Sequence, residues 1–486
     1  MRRVVALAVL MLASASCNGP VERPASVTSI DRFVAHPTSV QSGDSVSLSW
    51  KVESAGQHPD PDTFSCSLAR RFEGMPAEDP FEVACEGEHV DVPRPPDGST
   101  YVRYQLNALR HPPDTVSPYV TAGATVSFGG ASSTRPMIAI AAGYAHSLAL
   151  HEDGSVWAWG SNLHGQLGRG DDADSRTPVT VTGLDDVTAL AAGRYHSLAL
   201  RDDGTVWAWG SNWTGQLGDG TTTSRLAPVE VTGLSGVAAI AAGANHSLAL
   251  RTDGTVWAWG ENFRYAQLGD GTTNDRYAPV QVLGIDDATA ITAGTNHSLA
   301  ALDNGTVLAW GHNADGQLGD GTTTQRTTAV AVLGHSDVSG VAAGRDHSVA
   351  VRDDGTVFAW GRNADGQVGD GTTTDRLTPV QVATFSGSGA AVAAAGLHSL
   401  SLTPDGAIWA WGSNAFGQVG DGTTDDRATP VQVDGAGASA AIAAGTEHSV
   451  ALRTDGTVWT WGRNWLGQLG DGTIVDRPAP VRVTWP

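Results

Sequence analysis

Hydrophobic and polar residues alternate in four short segments that recur along most of the chain. In one copy, the apolar run "AIAA" (239–242) is followed by "HSLALR" (246–251) and "TVWAWG" (255–260), which both alternate with a period of two. After a long polar loop, "APVQV" (278–282) ends the unit. This alternation is typical of half-buried strands, and the unit has no helical period. Each unit therefore predicts four short β-strands.

The turn between the second and third strands of the unit carries its own signal. Asp253-Gly254 lies between the two alternating segments. Such a pair favours a tight hairpin, because the turn requires residues that tolerate positive φ. The second and third strands are therefore predicted to form an antiparallel hairpin.

The unit occurs seven times. A regular period of 50 or 51 residues is the sign of a repeat architecture. Seven four-stranded units fit an all-β fold, a seven-bladed β-propeller, because radial closure leaves only short sheet edges. Whether the two ends share a blade is left open. The histidine that starts each second strand marks the copies, at His146, His196, His246, His297, His347, His398 and His448.

The combined pattern "AAGxxHSLAL…DGTVWAWGxNxxGQLGDG" resembles the regulator of chromosome condensation repeat over residues 137–486. The resemblance implies a seven-bladed propeller. The activity best known for that family is nucleotide exchange on a small nuclear GTPase, together with chromatin binding. Those exchange factors use a projecting insertion, for which the uniform step leaves no room. A net charge of −22, from 51 acidic and 29 basic residues, also disfavours nucleic acid as a partner.

Features that recur in every blade are predicted to build the fold. The Trp and Val positions should fill the space between blades, and the Asn of "WGxN" and the Gln of "GQLG" should bond to loop backbone. We expect the seven histidines to form a ring that satisfies buried backbone groups. Asp219 and its equivalents should cap loop amides or pair with an arginine such as Arg225, with a loose calcium site as the alternative.

The repeats lack the spacings of common catalytic and metal motifs. The one lysine is Lys51, outside the repeats, so the glycine-rich loops cannot be P-loops. No zinc-ligand spacing and no nucleophile elbow occurs. We therefore predict no catalytic residue, no cofactor and no bound metal.

The N-terminal segment "MRRVVALAVLMLASASC" has the pattern of a secretory signal peptide, residues 1–16. Cys17 resembles the lipidated cysteine of a bacterial lipoprotein, with residues 17–26 as a tether. Cleavage after Ala13-Ser14-Ala15 by ordinary signal peptidase is the alternative. If Cys17 takes the lipid, Cys66 and Cys85 remain as an even pair for a disulfide in an oxidising compartment.

Residues 27–129 read as a separate β-rich domain. "VTSIDRFVAHPTSVQSGDSVSLSWKVESAG" (27–56) predicts strand, turn and strand, and later strands are predicted at 100–109 and 121–128. The arrangement resembles bacterial immunoglobulin-like β-sandwiches. Residues 130–136 form a linker by composition.

Candidate binding residues are those that differ between blades. The positions between Asn and Gly-Gln carry large apolar side chains in blades 6, 7, 1, 2 and 3, and Ala-Asp in blades 4 and 5. Because equivalent loops lie on one propeller face, an apolar patch there marks an interaction site. The residues predicted to bind a partner are Leu163, Trp213, Phe263, Tyr265, Phe416 and Trp465.

The function favoured by the sequence is a non-enzymatic scaffold that binds a protein or a glycan. We expect an exported bacterial monomer, located as an outer-membrane or cell-surface lipoprotein, or as a periplasmic or secreted protein. Membrane contact would come from the lipid anchor. A polysaccharide-acting hydrolase or lyase is the first alternative, and a nucleotide exchange factor the second.

Overall fold

The computed structural model divides the chain into two units, Met1–Thr134 and Arg135–Pro486. The second unit is described from residue 136 onward, except for residues 335 and 386–388. Of the first unit, the structure describes the backbone of eight strands. The predicted signal peptide, the lipidation and the disulfide lie outside the described residues.

The first unit contains two sheets of mainly antiparallel strands. One sheet has the order β1-β3-β6 and the other β2-β8-β7-β4-β5, in which β2 and β8 are parallel. Its immunoglobulin-like identity stays a prediction. The strands are β1 (Val27–His36), β2 (Ser39–Val40), β3 (Val46–Ser54), β4 (Phe64–Phe72), β5 (Phe81–Val83), β6 (Glu86–Asp91), β7 (Tyr101–Arg110) and β8 (Tyr119–Phe128).

The second unit is a β-propeller of seven antiparallel sheets, each built from four consecutive strands. Blades 1 to 3 contain β9 (Met137–Ala142), β10 (His146–His151), β11 (Val156–Gly160), β12 (Ser175–Thr180); β13 (Val187–Ala192), β14 (His196–Arg201), β15 (Val206–Gly210), β16 (Arg225–Glu230); and β17 (Val237–Ala242), β18 (His246–Arg251), β19 (Val256–Gly260), β20 (Arg276–Gln281). Blades 4 and 5 contain β21 (Ala288–Ala293), β22 (His297–Leu302), β23 (Val307–Gly311), β24 (Arg326–Ala331); and β25 (Val338–Ala343), β26 (His347–Arg352), β27 (Val357–Gly361), β28 (Arg376–Gln381). Blades 6 and 7 contain β29 (Ala391–Ala395), β30 (His398–Leu402), β31 (Ile408–Gly412), β32 (Arg427–Gln432); and β33 (Ser439–Ala444), β34 (His448–Arg453), β35 (Val458–Gly462), β36 (Arg477–Arg482).

The first strand of each blade lines a central channel, and the fourth strand lies outermost. The predicted four-stranded blade is therefore confirmed. Blade closure, which the sequence left open, needs no shared strand. Blade 7 meets blade 1 through the same kinds of bond that join the other blades, for example Trp159 Nε1 to the Gln468 carbonyl at 2.9 Å. The part of the chain that the structure describes contains no helix long and apolar enough to span a membrane.

The hydrophobic core lies between neighbouring blades. Trp209 of blade 2 is fully buried against Leu148, Leu150 and Val156 of blade 1. The equivalent tryptophans of all seven blades are fully buried. A large aromatic side chain buries about 150–250 Å², so each blade gains much of its stability from the blade beside it. The predicted role of the repeated Trp and Val positions is confirmed.

Two repeated glycines are required by close backbone approach. Gly160, which follows the buried Trp159, has φ of 103°, and a Cβ atom there would meet the Ala145 carbonyl. A Cβ atom on Gly143 would meet the His146 ring and the Gly193 carbonyl of the next blade. Only glycine fits both positions without displacing neighbouring atoms.

Candidate functional site

The seven repeated histidines are buried and joined in a closed ring of hydrogen bonds. Nε2 of His146 lies 3.0 Å from Oγ of Ser197 in the next blade. The same contact, at 2.8–3.0 Å, recurs around the propeller until His448 meets Ser147. The ring holds each blade to both neighbours.

The proton positions in this ring follow from its acceptors. The Ser197 hydroxyl donates to the Gln166 carbonyl at 2.9 Å, so its oxygen must accept the Nε2–H of His146. Nδ1 of His146 is then unprotonated and has no hydrogen-bond partner. The Gln166 carbonyl accepts a second bond, from Trp209 Nε1 at 2.8 Å. The prediction that the histidines bond to backbone is wrong: their partner is a serine side chain, and that serine makes the backbone contact.

Burial keeps the ring uncharged. Removal from water lowers the pKa of His146 and His398 to about 4 and that of the other five histidines to about 3. All seven rings are fully buried, and each is held by its serine partner. The histidine ring is therefore a structural element.

The long loop between the third and fourth strands of a blade is held by an ion pair. Arg225 donates to Oδ2 of Asp219 at 2.7 and 2.9 Å, while Oδ1 accepts bonds from Thr221 and Asn212. Burial opposes ionisation of Asp219, but the bonds from Thr221 and Arg225 outweigh it and hold its pKa below the usual range. Both oxygens have donors, which confirms the predicted pairing and disfavours calcium. Blades 2 to 7 all contain this pair.

The Asn and Gln amides that recur in the loops bond to backbone as predicted. Oδ1 of Asn212 accepts the N–H of Leu217 at 2.9 Å, and Oε1 of Gln216 accepts that of Thr214 at 3.0 Å. Blade 3 departs from this pattern because its loop has one extra residue. Arg264 there has a positive φ of 76°, and the buried amide of Gln267 has no partner among the described residues.

The inner loops, between the first and second strands, and the outer loops, between the third and fourth, meet on one face of the propeller. The N–H of Ser161, in an outer loop, donates to the carbonyl of Ala145, in the inner loop of the same blade, at 2.8 Å. We call this side the loop face. Four predicted partner-binding residues are exposed there: Leu163 (70%), Trp213 (64%), Phe263 (61%) and Trp465 (48%).

The other two predicted binding residues, Tyr265 and Phe416, are half-buried. The Tyr265 ring packs edge-on against His312 of blade 4, with centroids 4.7 Å apart. The Arg463 guanidinium lies 4.3 Å from the Phe416 ring and 4.5 Å from the Trp465 ring. Phe416 therefore shares the Arg463 cation with the exposed Trp465, and both half-buried side chains offer less free surface than the other four.

The structure adds a cluster that the loop comparison missed. Tyr195 lies beside Tyr144, with centroids 5.6 Å apart, and His164 joins Tyr195 to Trp213 through ring contacts of 4.9 and 4.7 Å. Arg194 lies over both tyrosine rings. Tyr144, Arg194 and Tyr195 occupy the inner loops, so the signal lay in the two positions before each repeated histidine.

Blades 4 and 5 carry a polar network in place of the aromatic cluster. His312 Nδ1 lies 3.9 Å from a carboxylate oxygen of Asp346, and ligand atoms of His312, Asp315 and Asp346 lie within 4.8 Å of one another. Burial raises the pKa of Asp346, while Arg345 opposes the shift. Gln317 Nε2 donates to His312 Nδ1 at 2.8 Å, so the nitrogen that faces the carboxylates is already engaged.

The central channel encloses about 580 Å³ and opens on the loop face. Its wall is formed by small side chains of the first strands, mostly alanines. Among the described lining residues the one acid is Glu447, which pairs with Arg463. A pair of carboxylates of the kind that glycosidases use does not line the described channel.

Comparisons with known proteins agree with this architecture. Residues 126–339 match the RCC1-like domain, and residues 354–402, 405–452 and 455–486 match the regulator of chromosome condensation (RCC1) repeat. A second model of that repeat matches residues 338–367, 390–418 and 440–468. The second unit is therefore a seven-bladed propeller of RCC1 repeats.

Three known proteins that are similar to this chain come from eukaryotes. Human WBSCR16 is 26% identical, with a TM-score of 0.62 over 68% of this chain and 95% of that one. Prp20p of Saccharomyces cerevisiae is 23% identical, with a TM-score of 0.61 over 72% and 88%, and is described with its binding to Gsp1p and histones. The kinase Nek8 of Danio rerio is 43% identical over 56 residues, which are 12% of this chain and 8% of Nek8.

Proposed function

We propose that this protein is a non-enzymatic scaffold that binds a protein partner through the loop face, at a bacterial cell envelope or after secretion. The observation that carries the proposal is the exposure of Leu163, Trp213, Phe263 and Trp465 on one face. Large apolar side chains that remain in water cost solvation free energy, which a partner recovers on binding.

The side chains around these residues support recognition by holding them in place. Trp213 rests against His164, and Trp465 rests against Arg463, which is also paired with Glu447. A side chain that is already oriented loses less conformational entropy on binding. Trp, Tyr and Arg are also the residues that most often anchor protein interfaces.

Similar propellers have protein partners. Prp20p is described with Gsp1p and histones, and yeast RCC1 (Prp20) is described bound to Kap60. We infer the partner class, protein, from this likeness and from the exposed anchors. An exchange-factor role fits this chain less well, since a uniform step of 50 or 51 residues leaves no room for the projecting insertion.

The test is capture of partners by the full-length protein from envelope and secreted fractions. The bait is compared with a variant carrying Trp213→Ala, Phe263→Ala and Trp465→Ala. A matched control carries Leu283→Ala and Leu333→Ala, which are exposed (51% and 50%) but lie in the connections between blades.

We expect at least one protein to be retained by the wild type and by the control variant but lost from the triple variant. Equal retention by all three baits would rule out the aromatic side chains as anchors. Retention of a polysaccharide alone, with turnover by the wild type, would favour the enzymatic alternative.

A further inference from the structure

We propose that the mouth of the central channel is a binding site for a carboxylate attached to a small uncharged group. The channel mouth is the ring of inner-loop residues that surrounds the opening on the loop face: Tyr144, Arg194, Ala244, Thr295, Arg345, Gly396 and Thr446. This inference concerns residues other than the exposed anchors, and it does not depend on the proposed protein partner.

Arg194 carries the argument. Its guanidinium carbon lies 5.3 Å from the Tyr144 ring centroid and 5.1 Å from that of Tyr195. Within the described part of the chain, no carboxylate or carbonyl accepts a hydrogen bond from this side chain. Arg194 thus differs from the outer-loop arginines, such as Arg225 and Arg326, which are paired with aspartates.

The two tyrosine rings orient the Arg194 guanidinium without using its N–H donors. Stacking on aromatic faces holds the planar group, and the fork of donors remains free for an anion. A carboxylate fits this fork through two parallel hydrogen bonds. The channel mouth thus offers a preorganised site for one carboxylate.

The channel behind the mouth fits the rest of the ligand. Its wall consists mainly of alanine methyl groups and backbone, and its volume of about 580 Å³ lies within the range of small-molecule sites, about 300–1,000 Å³. A small uncharged group attached to the carboxylate would therefore contact both the methyl groups and the backbone polar atoms of this wall.

The charges at the mouth favour a single negative charge on the ligand. Arg345, the other arginine of the mouth, already lies 3.3 Å from Asp346 and is partly neutralised. Glu447, the one acid of the described lining, is paired with Arg463. The whole chain carries a net charge of −22, which repels polyanions. A monocarboxylate is thus favoured over a phosphate or a nucleic acid. It could be a free acid or the C-terminus of a peptide.

The test is ligand-observed NMR saturation transfer on the full-length protein, with titration to obtain Kd. The probes are 3-phenylpropionate and its neutral amide, and the tripeptide N-acetyl-Ala-Ala-Phe with a free or an amidated C-terminus. The variants are Arg194→Gln and, as a matched control, Arg264→Gln. Arg264 also stacks on an aromatic ring of the loop face, that of Phe263, but it does not line the channel.

We expect saturable binding of at least one free carboxylate. Its amide should bind at least about tenfold more weakly, since the loss of a hydrogen bond to a charged group raises Kd by about that factor. Arg194→Gln should weaken the carboxylate by a similar factor, and Arg264→Gln should leave it within about twofold. Binding of 3-phenylpropionate would indicate that the ligand is a free acid, and binding of the tripeptide alone would indicate the C-terminus of a peptide.

No saturable binding of either carboxylate, equal binding of acid and amide, or unchanged binding to Arg194→Gln would overturn the proposal. Circular dichroism of both variants checks that the fold is kept. A negative result in this experiment would not contradict the proposed protein partner, because the capture experiment changes none of the mouth residues.

Discussion

The interfaces between blades and the loop face are built from the same repeats but follow opposite rules. At each interface the same four residue types recur: His146, Ser197, Gln166 and Trp209 between blades 1 and 2 have equivalents in every other pair. On the loop face, positions that are equivalent by repeat carry tryptophan in one blade and alanine in another. Repetition thus marks what closes the propeller, and variation marks what can distinguish partners.

The interfaces also differ from the loop face in their tolerance to charge. The histidine ring is fully buried and has no acid partner among the described residues, whereas the outer loops contain pairs of arginine and aspartate whose arginines are partly exposed. The two regions should therefore respond differently to acid and to substitution.

The largest expected effect is loss of the fold in mild acid. The folded pKa values of the seven histidines, about 3 to 4, lie below the unfolded value of about 6.5, so the unfolded chain binds more protons between these limits. The stability that depends on the uncharged histidines is fully present above pH 6.5 and falls as the pH is lowered. Each histidine loses about 1.4 kcal/mol per pH unit, and a domain holds about 5–15 kcal/mol in total. We expect unfolding between about pH 5 and 6.

Denaturant titrations at pH 7.5, 6.5, 5.5 and 4.5 would measure this effect. Neutralisation of excess carboxylates reduces the repulsion of an acidic chain and acts in the opposite direction. A free energy of unfolding that stays constant from pH 7 to 5 would contradict the neutral histidine ring.

The next effect comes from two tryptophans four residues apart. Trp209→Ala removes a fully buried side chain between blades and should cost about 3–5 kcal/mol. Trp213→Ala removes an exposed side chain and should change stability by less than about 0.5 kcal/mol. Chemical denaturation of both variants compares an interface position with a loop-face position. Similar losses in the two variants would remove the distinction between the regions.

The smallest effect concerns one hydroxyl of the ring. Ser197→Ala leaves the His146 Nε2–H buried without an acceptor and should cost about 1–3 kcal/mol. Ser235→Ala, at an exposed position in the connection between blades, serves as the control and should be near neutral. Thermal unfolding of both variants checks this, and a neutral Ser197→Ala would mean that the ring contributes little.

Much of the propeller could be predicted because its signals are local or periodic. Alternation with a period of two predicted the strands, Asp-Gly pairs predicted the hairpins, and the step of 50 or 51 residues predicted seven blades. The pairing of Asp219 with Arg225 was also predictable, since only six residues separate them.

The partners of the histidines could not be predicted in the same way. His146 and Ser197 are 51 residues apart, and each histidine has a serine beside it in sequence that belongs to a different bond. Which of the two pairs forms depends on the twist and packing of adjacent sheets. The Arg194 cluster was missed for a similar reason, because its rings come from the inner loops of two blades.

The sequence by itself determined the type, number and order of the strands, because side-chain alternation and turn chemistry act between near neighbours in the chain. Only the tertiary structure decided how the blades close, which serine each histidine meets, and which aromatic side chains remain exposed. These depend on contacts between residues about fifty positions apart, whose geometry is fixed when seven twisted sheets pack around one channel.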